Sequence, residues 1–230
     1  MTKSRKFQSG RSYHVTQRCH GGQPLLGRDV DRRYYLNLLW AAKRDWPVSI
    51  FAYILTDNHV HLLMSAEDLE TLSGFMTKVS GGMARHYNRR KERVGAFWEG
   101  RYRTTLIQDG SHLSRCLFYI EMNMVRAGVV THPREWEWCS YWELSGKRQR
   151  YRLLDLDGLI RKLECGDLEQ FREWYLATLE TLSARRVELR REPWWTSAKV
   201  VGDRDFVAQQ VGKRRAKDIV EAADGTCAWV

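Results

Sequence analysis

The sequence predicts an α+β fold, an antiparallel sheet with helices packed on one face. Two observations carry this. Segments with the two-residue alternation of strands interleave with segments whose apolar residues recur every three or four positions. Two of the strands also stand in succession across a short turn, as in a hairpin. The predicted order, β-α-β-β-α-β-α, is that of a ferredoxin-like sheet.

The elements follow in order. Ser12 to Arg18 alternates and is rich in β-formers, and Gly21, Gly22 and Pro24 break it. Asp29 or Asp31 can cap a helix to about residue 45, with Tyr35, Leu38, Leu39 and Ala42 at helical spacing; Pro47 ends it. The run 48–55 is apolar and β-prone, Thr56-Asp57-Asn58 forms a turn, and the chain returns as a strand from His59. Residues 66–93 read as a long helix, in which Gly81-Gly82 marks a kink or close packing. A strand is expected at 97–107 and a helix at 111–127, with Ser111 as N-cap and Gly128 as stop. Residues 131–141 form an irregular crossing, and Trp136, Trp138 and Trp142 are expected to pack it down. A charged amphipathic helix at 167–191 ends before Pro193, and Asp203 can cap a last short helix to about residue 213. The expected organisation is a body of residues 1–145 and a mostly helical extension over 146–230.

Composition narrows the function. No apolar run reaches the length of a membrane span, and residues 1–10 lack the apolar core of a signal peptide. The five cysteines are widely spaced with no CxxC, so structural thiols in a reducing cytoplasm are expected. The net charge is +10, and it is uneven: residues 1–150 hold 24 Lys+Arg against 14 Asp+Glu, while residues 151–230 hold 14 of each. A basic body without a dominant basic amphipathic helix points to nucleic acid over membrane.

Chemistry enters at His59-Val60-His61. Residues two apart on a strand share a face, so both imidazoles can reach one ion while Val60, Leu62 and Met64 face a packed layer. The plainer reading is two half-buried histidines hydrogen-bonded in a sheet. On the helix at 111–127, Tyr119 and Asn123 stand four apart, one turn above the other. A tyrosine hydroxyl is a poor nucleophile until a metal polarises the phosphoryl group it attacks. Two imidazoles and an amide oxygen suit Mg²⁺ or Mn²⁺ once phosphate and water complete the shell. Here too a plainer reading exists: Tyr119 as ordinary core and Asn123 as a surface or capping amide.

Three separated stretches then agree with one family. His59-Val60-His61 before two leucines, Phe97-Trp98-Glu99-Gly100-Arg101-Tyr102, and Tyr119-Ile120-Glu121-Met122-Asn123-Met124-Val125-Arg126-Ala127-Gly128 resemble the HUH single-tyrosine transposases, specifically the REP-associated tyrosine transposases. Tyr13-His14-Val15-Thr16 and 136–141 extend the likeness over about residues 10–145. The resemblance implies the HUH endonuclease fold, metal ligands at His59, His61 and Asn123, and Tyr119 as nucleophile on single-stranded DNA. The products implied are a 5′-phosphotyrosine and a free 3′-hydroxyl, with rejoining that needs no ATP. The implied substrate is a palindromic repeat folded as a hairpin. One departure stands out: the family usually has proline after the asparagine, where this chain has Met124. Methionine is expected to let the helix run on.

Two basic stretches fit such a substrate. Arg85, Arg89 and Arg90 end the long helix, and Trp98, Arg101, Tyr102 and Arg103 interleave rings with cations as single-strand binders do. Plainer readings are a solvated helix end and an amphipathic strand. The tail can pack on the body, cover the site, or touch DNA through Arg185, Arg186, Arg190 and Arg191. A cytoplasmic monomer is expected, with a dimer as the other possibility. The alternative functions are a non-catalytic DNA-binding regulator on the same fold, a replication or mobilisation nuclease, and an unrelated metal-dependent hydrolase. The chain has no Walker-type loop of the kind helicase-linked nucleases carry.

Overall fold

A computed structural model describes residues 7–148, 152–186 and 190–230. Its centre is the predicted four-stranded sheet. β1 (Ser12–Arg18) lies between β3 (His59–Ser65) and β4 (Arg103–Ile107), and β2 (Ser49–Leu55) flanks β3, all antiparallel. Phe51 is an extra residue in β2: pairing steps from Ile50–Met64 to Ala52–Leu63, so Phe51 and Ala52 both face the same layer.

Helices cover both faces. α1 (Asp29–Asp45) and α2 (Leu69–Arg90) cover the face of Val15, Val60, Leu62 and Met64. Asp68 caps α2, accepting the Thr71 amide at 2.7 Å. Asp31 does not cap α1; its buried carboxylate takes Arg90 Nη2 at 2.5 and 2.6 Å. Gly82 proves to be a site of close packing, since a Cβ there would stand 2.8 Å from Leu38 of α1.

The expectation of helices on one face therefore holds for α1 and α2 only. α3 (Ser111–Glu121) lies on the opposite face, against Phe51, Ile54, Leu63 and Ile107. Its inner side, with Leu113, Leu117 and Ile120 fully buried, leaves it no solvated option. The helix predicted over 111–127 breaks at Met122 and resumes as the short α4 (Asn123–Arg126). The capping position is Gly110, at φ 74°, with Ser111 as the first helical residue.

The strand predicted over 97–107 is shorter, because only 103–107 pairs in the sheet. Trp98 bridges to Cys19 across the end of β1, Phe97 turns into the core, and the chain leaves the ladder at Glu99-Gly100. Trp136 and Trp138 pin the crossing segment to β2: Trp136 donates to the Leu55 carbonyl, and the Trp138 carbonyl accepts the Leu55 amide, both at 2.9 Å.

Beyond residue 145 the chain supplies more than helices. α5 (Tyr141–Leu144) leads to α6 (Leu156–Leu163) and α7 (Leu168–Ala184), which join α3 on the second face. Residues 187–189 of the amphipathic stretch lie outside the described residues. α8 (Trp194–Ser197) follows, then β5 (Val200–Gly202), α9 (Arg204–Val211), β6 (Val220–Glu221) and β7 (Cys227–Trp229). Asp203 caps α9 as expected. β5 joins the free edge of β4 in parallel, and β7 and β6 continue the sheet, giving the order β2-β3-β1-β4-β5-β7-β6.

Candidate active site

The sheet register gathers the site. Directly opposed residues on paired strands share a face. Thr16 opposes His61 on one side and Arg103 on the other, and Arg18 opposes His59. With the two-residue alternation, His14, Arg18, His59, His61, Arg103 and Thr105 stand on one face. It is the face α3 covers. Tyr119 is 7% exposed, and its ring centroid lies 6.1 Å from those of both His14 and His61. His59 and His61 meet edge to face at 4.8 Å. The break at Met122 carries Asn123 to His61, with Asn123 Nδ2 at 3.3 Å from His61 Nε2. His59, His61, Tyr119 and Asn123 are thus brought together.

Hydrogen bonds orient the rings. His59 Nδ1 lies 2.7 Å from Asn58 Oδ1, an acceptor, so Nδ1 carries the proton and Nε2 keeps its lone pair. His61 turns Nδ1 to His14 at 2.8 Å and Nε2 to Asn123. Burial pushes His59 down to about 4, and Arg18, Arg191 and Arg126 push it the same way. Burial also takes His61 well below the ordinary histidine value, with His59 and His14 adding to it. Both imidazoles are therefore neutral at pH 7, the form that ligates metals.

That arrangement fits a divalent ion. Among the described residues no group of three His, Cys, Asp or Glu is set to hold a metal. The donors here are two imidazoles and an amide. A turn of the Asn123 amide exchanges its nitrogen for its oxygen at the same place. Three protein donors facing an open cleft leave positions for phosphate and water, as catalytic Mg²⁺ and Mn²⁺ sites do.

The cleft is about 870 Å³, and among the described residues five arginines (Arg18, Arg101, Arg103, Arg126 and Arg191) line it with one carboxylate, Glu99. Arg126 had no assigned role in the sequence. Its guanidinium lies 4.1 Å from the centre of the Tyr119 ring, and its Nη2 donates to the Tyr119 carbonyl at 3.1 Å. Burial raises the Tyr119 phenol, and Arg126 and Arg191 draw it back. The spacing of seven, two helical turns, was the available signal for Arg126. Arg191, one of the tail arginines named as possible DNA contacts, lines the cleft, whereas His14, Thr196 and Ser197 carried no such signal, because β1 and the tail reach the site only through the fold.

The seven residues assigned to DNA divide. Arg101 and Arg103 line the cleft. Tyr102 is 6% exposed, with its hydroxyl 3.1 Å from Ser73 Oγ, and it lines a separate, smaller pocket beside Arg101. Trp98 is half-buried against Tyr35 and Phe97 and donates to the Ser80 carbonyl at 2.9 Å. Arg90 is engaged by Asp31. Arg85 and Arg89 are exposed on α2 and do not line the cleft.

Comparison with known proteins follows the same lines. No curated protein sequence matches the chain. Among solved structures, a REP-associated tyrosine transposase bound to a REP hairpin is similar over 66% of this chain and 90% of its own, at 17% identity and a TM-score of 0.51. That likeness is one of fold. A Deinococcus radiodurans R1 protein described as a transposase is similar over 53% of this chain and 96% of its own, at 20% identity and a TM-score of 0.37. The model of the family "Transposase IS200 like" matches residues 7–123, more than half the chain, and the matched stretch includes both histidines, Tyr119 and Asn123. The chain belongs to the IS200-like transposase family.

Proposed function

We propose that the protein is a metal-dependent single-strand DNA endonuclease and strand transferase of the REP-associated group, acting in the cytoplasm on palindromic-repeat hairpins. One observation carries this reading: Tyr119 stands over two neutral imidazoles and an amide at the floor of an arginine-lined cleft. His59, His61 and Asn123 would hold a divalent ion, which would supply Lewis-acid polarisation of the scissile phosphate. Tyr119 Oη forms the new bond to phosphorus while the bond to the 3′-oxygen breaks. The phenol proton leaves through solvent and the 3′-oxygen is released as a hydroxyl, so the phosphodiester charge is unchanged. That hydroxyl can attack the phosphotyrosine in the reverse sense and rejoin strands. Arg126 offsets charge that develops on the tyrosine oxygen, and Arg101 and Arg103 hold the backbone. Tyr119 and the ligands come from one chain, which supports action as a monomer. The fold likeness to a protein solved with a REP hairpin supports the substrate class.

The test is a labelled repeat hairpin with a single-stranded flank, incubated with Mg²⁺ or Mn²⁺ and resolved on a denaturing gel. Wild type should yield a covalent protein–DNA adduct and a free 3′-hydroxyl. Tyr119→Phe should bind DNA but form no adduct. His59→Ala, His61→Ala and EDTA should each abolish cleavage. Adduct formation by Tyr119→Phe, or undiminished cleavage in EDTA, rules the mechanism out.

A further inference from the structure

His61 is held from behind by a histidine that no part of the reaction uses. His14 is 1% exposed and stacks on His61, with ring centroids 4.9 Å apart. Its Nδ1 lies 2.7 Å from the backbone carbonyl of Trp195, and its Nε2 lies 2.8 Å from His61 Nδ1. A carbonyl oxygen can only accept, so His14 Nδ1 carries a hydrogen. A neutral imidazole has one N–H, which makes His14 Nε2 an acceptor. Across 2.8 Å from an acceptor, His61 Nδ1 must be the donor. The single N–H of His61 is then used, and its Nε2 keeps a lone pair directed at Asn123, 3.3 Å away. Neither ring has a carboxylate among these partners, so nothing in the chain of contacts favours a charged imidazolium.

We propose that His14, held by the Trp195 carbonyl, is a positioning residue that fixes His61 in the Nδ1–H tautomer and so keeps His61 Nε2 free as a donor to metal. The metal part rests on the function proposed above; the tautomer part does not. The relay begins in the C-terminal extension. Trp195 is 1% exposed, its indole N–H donates to Glu192, and its carbonyl is set by α8 over the sheet. Thr105 Oγ1 holds the adjoining turn by donating to the Ala198 carbonyl at 2.6 Å. The extension thereby bears on the candidate metal site through two imidazoles, besides lining the cleft with Arg191, Thr196 and Ser197. Second-layer partners of ligating histidines fix ring orientation and tautomer, and their loss typically costs about 10–100-fold in metal affinity.

The experiment uses the full chain, ¹⁵N-labelled at histidine and metal-free, with ring-nitrogen correlation spectra and a separate Mn²⁺ titration followed by EPR. Wild type should show His61 protonated at Nδ1 and His14 at Nδ1. His14→Phe fills the space with a ring that cannot accept; His61 should then populate the Nε2–H form, and Mn²⁺ binding should weaken by roughly ten-fold or more. His14→Gln retains an acceptor oxygen for His61 and an N–H for the Trp195 carbonyl, and it should restore both readouts in large part. A wild-type His61 protonated at Nε2 overturns the proposal, and that measurement holds even if a variant does not fold. An unchanged tautomer and unchanged Mn²⁺ binding in folded His14→Phe also overturn it. Wild type with the expected tautomer but no Mn²⁺ binding upholds the relay and overturns the metal reading alone.

Discussion

At the scale of single residues, two side chains invite direct tests. Arg126 holds its charge against the Tyr119 ring and ties to the carbonyl of the same residue. Replacing it by alanine removes a cation from the oxygen on which charge develops. Cleavage at saturating DNA should fall by about ten- to a hundred-fold, with Arg126→Lys intermediate, as measured by single-turnover adduct formation. Equal rates for Arg126→Ala and wild type would detach this residue from the chemistry. The second is Glu121, fully buried on α3, whose carboxyl burial pushes up to about 7 from 4.5 although hydrogen bonds from Ser140 and Tyr175 draw it back. Ser140 also lies 3.2 Å from the Tyr53 carbonyl, so a protonated Glu121 lets each hydrogen find one acceptor. Between pH 4.5 and 7 the folded protein keeps a proton that the unfolded chain has released. This group's contribution to stability is therefore complete below 4.5 and is lost as pH rises through 7, on the order of 3 kcal/mol in all. Glu121→Gln stays neutral throughout. Its denaturation midpoint should exceed that of wild type at pH 8 and approach it at pH 5. A gap that does not change with pH would show that Glu121 is not the titrating group.

At the scale of elements, the close approach of α1 and α2 depends on Gly82, where a Cβ would stand 2.8 Å from Leu38. Leu38 is the far end of a flexible side chain, so Gly82→Ala should be tolerated or nearly so, helped by alanine's helix preference. Gly82→Val adds branches with nowhere to go and should destabilise by about 1–3 kcal/mol, read as a lower urea midpoint with little change in slope. The break between α3 and α4 matters more for the site. An unbroken helix would keep Asn123 one turn above Tyr119 on the same stripe. Beyond the pause at Met122, Arg126 still reaches back to the Tyr119 carbonyl and Asn123 reaches His61.

At the scale of the whole molecule, the extension is built into the sheet and into both cores. β5 pairs with β4, Trp195 lies beside Tyr119, and Tyr175 of α7 donates to Glu121 at 2.7 Å. A chain cut after residue 145 would expose the apolar face of α3 and leave His14 without its carbonyl partner. It should lose cooperative unfolding and cleave nothing, which thermal denaturation and the hairpin assay would read; a stable, active fragment would contradict this. Charge acts at the same scale. The excess of +10 lies within residues 1–150, and five arginines converge on the cleft. Binding to the single-stranded flank should weaken steeply with salt. Replacing Arg101 and Arg103 together by alanine should flatten the log–log salt slope by about 1 to 2, with a smaller effect on the cleavage rate once DNA saturates. An unaltered slope would take these two arginines off the backbone.

The sequence alone determined the periodicities, and with them the order of strands and helices and the pairing of His59 with His61 on one face. These are local properties, set by alternation of two along a strand and 3.6 around a helix. It also determined that Tyr119 and Asn123 would lie near each other, because four residues make about one turn. Only the tertiary structure decided what those residues meet. Placing β1 between β3 and β4 put His14 behind His61, and no local pattern encodes a contact across 47 residues. Packing decided that the Tyr102 ring is 6% exposed and that Arg90, half-buried, is paired with the buried Asp31. It decided that α3 covers the face opposite α1 and α2, since an apolar stripe states that a helix is buried but not against which layer. The tail, electroneutral in composition, became part of the site for the same reason: the free edge of β4 and the bare face of α3 needed cover, and covering them carried the Trp195 carbonyl to His14.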